Sequence, residues 1–185
     1  MRFMKTKRAI ALIIMLTIAG LAPAPLSAAQ EGMSNRTPDL PSPLCDSLEV
    51  PQGNKVAFHA YALGVQVYRW NGTSWVFVEP VATLFADADY HEKVGIHYVG
   101  PTWESNSGSK VVATRLEGCT PDLTAIPWLL LQTTSTEGPG IFRSVTYIQR
   151  VNTKGGLVPT APGSSVGAIV GVPYTAEYYF YRARN

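Results

Sequence analysis

The chain predicts an all-β protein, either a mostly antiparallel β-sandwich or a distorted β-barrel, built as a single domain with little helix. Short runs rich in Val, Phe, Tyr and Trp recur along most of its length. Such residues suit the pleated, half-buried surface of a sheet. Gly or Pro punctuates nearly every junction, as at Gly100-Pro101, Gly138-Pro139-Gly140 and Pro173. These residues supply turns and discourage long helices. No stretch of about 12 residues free of them carries apolar side chains at helical spacing.

Taken in order, residues 1–29 read as a cleaved signal peptide. Arg2, Lys5, Lys7 and Arg8 precede an apolar run over 9–22; Pro23 and Pro25 break it, and Ser27-Ala28-Ala29 offers small residues for cleavage near Ala29. The run falls short of the roughly 20 residues a membrane-spanning helix needs. The expectation is therefore a secreted or periplasmic protein with no membrane span after cleavage. Residues 30–54 form an extended, poorly ordered lead-in with Pro38, Pro41 and Pro43. Residues 55–185 form the β-rich globular domain. Its strand-like runs cover 55–62, 65–70, 74–79, 82–86, 93–99, 110–116, 128–134, 144–151 and 174–182.

Asn71-Gly72, between the second and third runs, predicts a type I′ hairpin, because both residues accept positive φ. Residues 126–131 are continuously apolar, as a strand buried on both faces requires. The last run alternates: Tyr174, Ala176, Tyr178 and Phe180 share one face, and Thr175, Glu177, Tyr179 and Tyr181 the other. Cys45 and Cys119 are the only cysteines. In an oxidising compartment they are expected to form one disulfide.

Charge narrows the function classes. The whole chain carries 15 basic and 13 acidic residues. Removing the four basic residues of the leader leaves 11 against 13, a net charge of −2. No basic stripe remains, which excludes a dedicated nucleic-acid partner. Charged residues at 15 % and aromatics at 10 % also exclude a disordered chain.

Several blocks, in order, are similar to those of a known family. They include Gly64-Val65-Gln66-Val67-Tyr68, Val94-Gly95-Ile96-His97-Tyr98-Val99-Gly100-Pro101-Thr102-Trp103-Glu104 and Ala125-Ile126-Pro127-Trp128-Leu129-Leu130. Two more are Thr146-Tyr147-Ile148-Gln149-Arg150-Val151-Asn152-Thr153-Lys154-Gly155-Gly156 and Val172-Pro173-Tyr174-Thr175-Ala176-Glu177-Tyr178-Tyr179-Phe180. Over roughly residues 50–182 the chain resembles the secreted bacterial and fungal family catalogued as domain of unknown function 3455. The resemblance implies a secreted single domain and carries no catalytic assignment. Some fungal members bear a malate dehydrogenase label, but no GxGxxG joins a strand to a helix here.

The candidate chemistry is sparse. His97, near Trp103 and Glu104, has a side chain that titrates near neutrality, and a neighbouring carboxylate would make an acid/base pair. On a strand, an inward Ile96 would turn His97 outward or into a groove. Asp87, Asp89, His91 and Glu92 cluster, but Tyr90 and the lack of a central Gly break a calcium pattern, leaving a solvated turn and no metal site. Thr153-Lys154-Gly155-Gly156 has its Lys before the glycines, unlike a phosphate-cradling loop. Arg150 and Lys154 can still hold a carboxylate or sulfate. Tyr68, Trp70 and Trp75 flank the hairpin, where they either stack on sugars or pack across strands. Asn35-Arg36-Thr37 and Asn71-Gly72-Thr73 match the glycosylation acceptor pattern.

The expected function is a binding module for a small molecule or glycan. Its cleft draws on residues 95–104 and 149–154, with Gln66, His97, Trp103, Gln149, Arg150 and Lys154 as candidate contacts. No cofactor motif and no complete catalytic constellation is present. The alternatives are a secreted hydrolase or isomerase using His97 and Glu104, or a structural surface protein. His97, Trp103 and Arg150 on opposite sides of the fold would remove both site proposals.

Overall fold

A computed structural model describes residues 37–184. The leader and the Asn35 acceptor pattern lie outside these residues. The described chain begins with a 3-10 turn, Asp46–Leu48, followed by eight strands: β1 (Asn54–Trp70), β2 (Trp75–Phe85), β3 (Lys93–Tyr98), β4 (Thr102–Ser105), β5 (Lys110–Cys119), β6 (Trp128–Glu137), β7 (Val145–Gly155) and β8 (Ile169–Ala183). All pair antiparallel in sequence order, and β8 returns to β1, so the sheet closes. The architecture is a barrel, and the sandwich alternative falls. No helix among the described residues is long and apolar enough to cross a membrane.

Nine expected runs become eight strands for definite reasons. Runs 55–62 and 65–70 are one strand, β1, in which Gly64 pairs with Ala82. A Cβ at Gly64 would run into the Val81 carbonyl oxygen and the Ala82 backbone. Gly64 therefore marks a close backbone approach where the sheet bends into a barrel, not a strand end. Pro80, facing Gln66 in the same bend, likewise lies inside β2 rather than between two strands. β4 leaves no mark in the sequence pattern, because four residues between Gly100-Pro101 and Asn106 are too few to show a period.

The Asn71 hairpin forms with a longer loop than expected. Asn71 does not adopt positive φ, and its side-chain Oδ1 accepts the backbone N–H groups of Thr73 and Ser74 at 2.9 and 2.8 Å. The side chain thus builds the turn that a type I′ backbone would have built. Trp70 and Trp75 meet edge to face at 5.5 Å, Gly163 lies against the Trp70 ring, and the Trp75 indole donates to the Ala161 carbonyl. The hairpin aromatics are packed across the strands and under a loop.

Strand alternation produces two apolar clusters on opposite sides of one wall. Inside the barrel lie Ala60, Ala82, Leu84, Leu131, Ile148, Tyr178 and their neighbours. Small alanines on β1, β2, β5 and β8 leave room for the large rings. Phe58, Phe142 and Phe180 fill one end, with Phe142–Phe180 centroids 4.8 Å apart. Outside, Cys45, Leu48, Cys119, Trp128, Leu130, Val151, Tyr179 and Tyr181 form the second cluster. The Pro-rich segment packs there through Leu40, Cys45, Leu48 and Val50, with Leu48 fully buried. The Cys45–Cys119 disulfide joins it to the end of β5. Residues 126–131 are accordingly buried on both faces, Leu129 and Leu131 toward the interior and Trp128 and Leu130 beneath the lead-in.

Candidate functional site

The end of the barrel opposite the phenylalanine plug holds a cavity of about 240 Å³ to which all eight strands contribute. Its floor is aromatic. His97 on β3 and Trp103 on β4 are direct cross-strand partners, so both point to the same face. Their rings stack at 4.3 Å, and Tyr178 on β8 meets His97 edge-on at 5.2 Å. Gln66 from β1 and Arg150 from β7 complete the polar lining; Phe77, Val78, Leu129 and Leu131 supply apolar wall.

The condition of an inward Ile96 is not met. Ile96 is the exposed residue, and His97 is buried in the interior. Its Nδ1 lies 2.8 Å from the Thr102 carbonyl oxygen. A carbonyl only accepts, so Nδ1 carries the proton and Nε2 keeps its lone pair. Burial, reinforced by the nearby Arg150 charge, lowers the His97 pKa to about 3. The imidazole is neutral at physiological pH.

The polar groups around this floor are short of partners. Gln66 Nε2, Trp103 Nε1, Tyr174 Oη and Tyr178 Oη are all buried and make no hydrogen bond of good geometry, although Tyr174 stands near Gln66 and Tyr178, and Tyr178 near Arg150. Native interiors seldom leave such groups unpaired, because each costs about 1–3 kcal/mol. Four in one cluster is a concentrated deficit, and each can donate. Burial pushes the Tyr174 and Tyr178 phenols up, keeping both protonated. Arg150 donates from Nε and Nη2 to the Pro127 carbonyl oxygen at 3.2 and 2.8 Å. That bond fixes the plane of the guanidinium and leaves further N–H groups for a second acceptor.

Four of the expected contacts, Gln66, His97, Trp103 and Arg150, therefore share one cavity. Three other candidates lie elsewhere. Glu104 pairs with the exposed Ile96 on the outer face, where it accepts from Tyr98 Oη at 2.9 Å and faces Lys110 Nζ at 3.6 Å. The structure does not bring Glu104 to His97. Gln149 points outward beneath the lead-in, donating to the Leu48 carbonyl and accepting from Tyr181 Oη. Lys154 is exposed, away from the cavity. Tyr178 and Arg115 also line the cavity, and Tyr174 lies beside Tyr178, though no motif in the sequence marks any of the three as a site residue. The alternation of the last strand placed both tyrosines on one face, but burial alone reads as core.

Two other clusters are internally satisfied. Asp87, Asp89 and His91 bring candidate ligand atoms within 4.8 Å of one another. The Asp87 carboxylate, however, accepts the backbone N–H groups of Asp89, His91 and Glu92, which hold its pKa below the usual range. On the outer face, Glu177 accepts from Asn152 and Tyr179 and lies 2.9 Å from His59 Nε2.

A family model described as a protein of unknown function, DUF3455, matches residues 51–182. The chain belongs to this family. The matched span covers β1 to β7, all of β8 but Ala183, and every cavity residue named above. No curated protein and no solved structure matches the chain. Within this family member the disulfide is compatible with an extracellular setting, where such bonds persist.

Proposed function

We propose that this protein is a secreted binding module that holds a small molecule in the open end of its barrel. One observation carries the reading: three buried groups without a hydrogen bond, on Gln66, Trp103 and Tyr178, line a cavity that also holds a guanidinium. A ligand with acceptor atoms would satisfy them and recover the desolvation cost that the empty fold bears. The lining is otherwise apolar, as in most small-molecule sites, and its volume is below the roughly 300–1,000 Å³ of drug-sized pockets. A glycan fits less well, since sugar hydroxyls need acceptors as well as donors and the hairpin aromatics are packed away. Secretion rests on the leader pattern together with the disulfide.

Trp103 gives the site its own reporter. Titrating the purified protein with a panel of small metabolites should produce at least one saturable change in tryptophan fluorescence with a matching rise in Tm. Leu129→Trp, which puts an indole on the cavity wall in place of a smaller side chain, should abolish both while leaving far-UV dichroism unchanged. A ligand bound equally well by Leu129→Trp, or a panel without any saturable member, would remove the proposal.

A further inference from the structure

Charge on the cavity wall specifies the ligand more narrowly, on the basis of the small-molecule reading above. Arg150 and Arg115 are the charged residues in the lining, and no Asp or Glu accompanies them. Among the described residues the ion pairs are His59–Glu177, His91–Asp87 and Lys110–Glu104, so neither arginine has a carboxylate partner. Arg150 is part-buried inside the barrel, while Arg115 is exposed at the rim. A guanidinium held in a low-dielectric interior without a counter-ion is electrostatically unfavourable, and the deficit matches one negative charge.

We propose that the ligand is a small monocarboxylic acid with an apolar body, its carboxylate seated on Arg150 and its body against Phe77, Val78, Leu129 and Leu131. The planar fork of a guanidinium matches a carboxylate through two parallel N–H···O bonds. Tyr178 Oη, Gln66 Nε2 and Trp103 Nε1 supply the donors that the carboxylate's remaining lone pairs accept. A phosphate dianion fits this site poorly, because a single enclosed cation leaves half its charge uncompensated. His97 is neutral and adds no positive charge to the site.

Matched pairs test the assignment: hexanoate against hexanamide, and phenylacetate against phenylacetamide, titrated calorimetrically at pH 7. The acid should bind at least about 10-fold tighter than its amide, as hydrogen bonds to a charged group imply. Arg150→Met should weaken the acid about 10-fold or more, leave the amide unchanged and bring their ratio close to one. Arg150→Lys keeps the charge but loses the fork; it should retain a reduced preference, and it decides the matter if Arg150→Met does not fold. Amides that bind as tightly as acids, or a preference that survives loss of Arg150, would overturn the carboxylate assignment while the small-molecule reading stands. Binding confined to neutral members of the wider panel would do the same. Absence of any saturable ligand would remove both.

Discussion

His97 shows how one side chain's environment sets a measurable pH response. In the unfolded chain its pKa is near 6.5, and in the fold burial lowers it to about 3. Between these values the unfolded state binds a proton that the folded state refuses, so stability is full above pH 6.5 and falls as pH drops toward 3. Relative to His97→Phe, which keeps the stack on Trp103 but cannot titrate, the wild type should lose about 2 kcal/mol between pH 7 and pH 5. Urea titrations at the two pH values check this; equal losses in both proteins would refute it. Tyr178 makes the opposite case. Its hydroxyl is buried near Tyr174 and Arg150 but makes no hydrogen bond of good geometry with either, so Tyr178→Phe should stabilise the ligand-free protein by about 1 kcal/mol while weakening ligand binding. A urea midpoint that falls in the variant would show that the hydroxyl has a partner in solution. Residue types were legible in the sequence here, but directions were not. Ile96 is the more apolar neighbour, yet His97 points inward, because Gly95 lies against the Glu104 backbone and Trp103 sets the face of the pair.

Strands and the lead-in carry the next set of consequences. The disulfide closes a loop spanning 74 positions and anchors the lead-in over the outer cluster. In the chain-entropy model that closure contributes about 4–5 kcal/mol. Reduction, or Cys119→Ala, should lower unfolding free energy by that order, and a thiol titration of the denatured, unreduced protein should find none. Gly64 is a second pressure point. Gly64→Val should cost about 3 kcal/mol, the upper end for overpacking, since the neighbouring obstacle is backbone that cannot swing aside. Near-UV dichroism and thermal midpoint report this; a variant as stable as wild type would mean that β1 and β2 can separate there without loss. At this scale the faces of the last strand were legible from Tyr174 onward, while its first five residues, Ile169 to Pro173, were not. Tyr174, Ala176, Tyr178 and Phe180 face the interior, and Tyr179 and Tyr181 lie in the outer cluster, as a period of two requires. What its outer tyrosines touch was not legible, because the Pro-rich segment that covers them is distant in sequence and shows no period.

Closure makes the whole molecule depend on its final strand. β8 pairs with both β1 and β7 and brings Tyr174, Tyr178 and Phe180 to the interior. Truncation after Val172 would expose two strand edges and most of the barrel's aromatic filling, so it should abolish cooperative unfolding and drive aggregation. A soluble monomer with a sharp urea transition would contradict that dependence. The all-β class, the antiparallel hairpins, the pairing partner of each cysteine and the faces of the last strand were legible without coordinates. All of these follow from local alternation, turn chemistry or a count of two. Only the tertiary structure decided between barrel and sandwich, since both satisfy the same alternation and differ in whether the last strand meets the first. That choice also decided the site. Gln66, His97, Trp103, Arg150 and Tyr178 lie on five different strands. Ring closure turns them toward one cavity and carries Glu104 and Gln149 away from it, because neighbours along a strand must face opposite sides of the wall; Lys154 is carried away by the break in register after Val151, where Asn152 takes a positive φ.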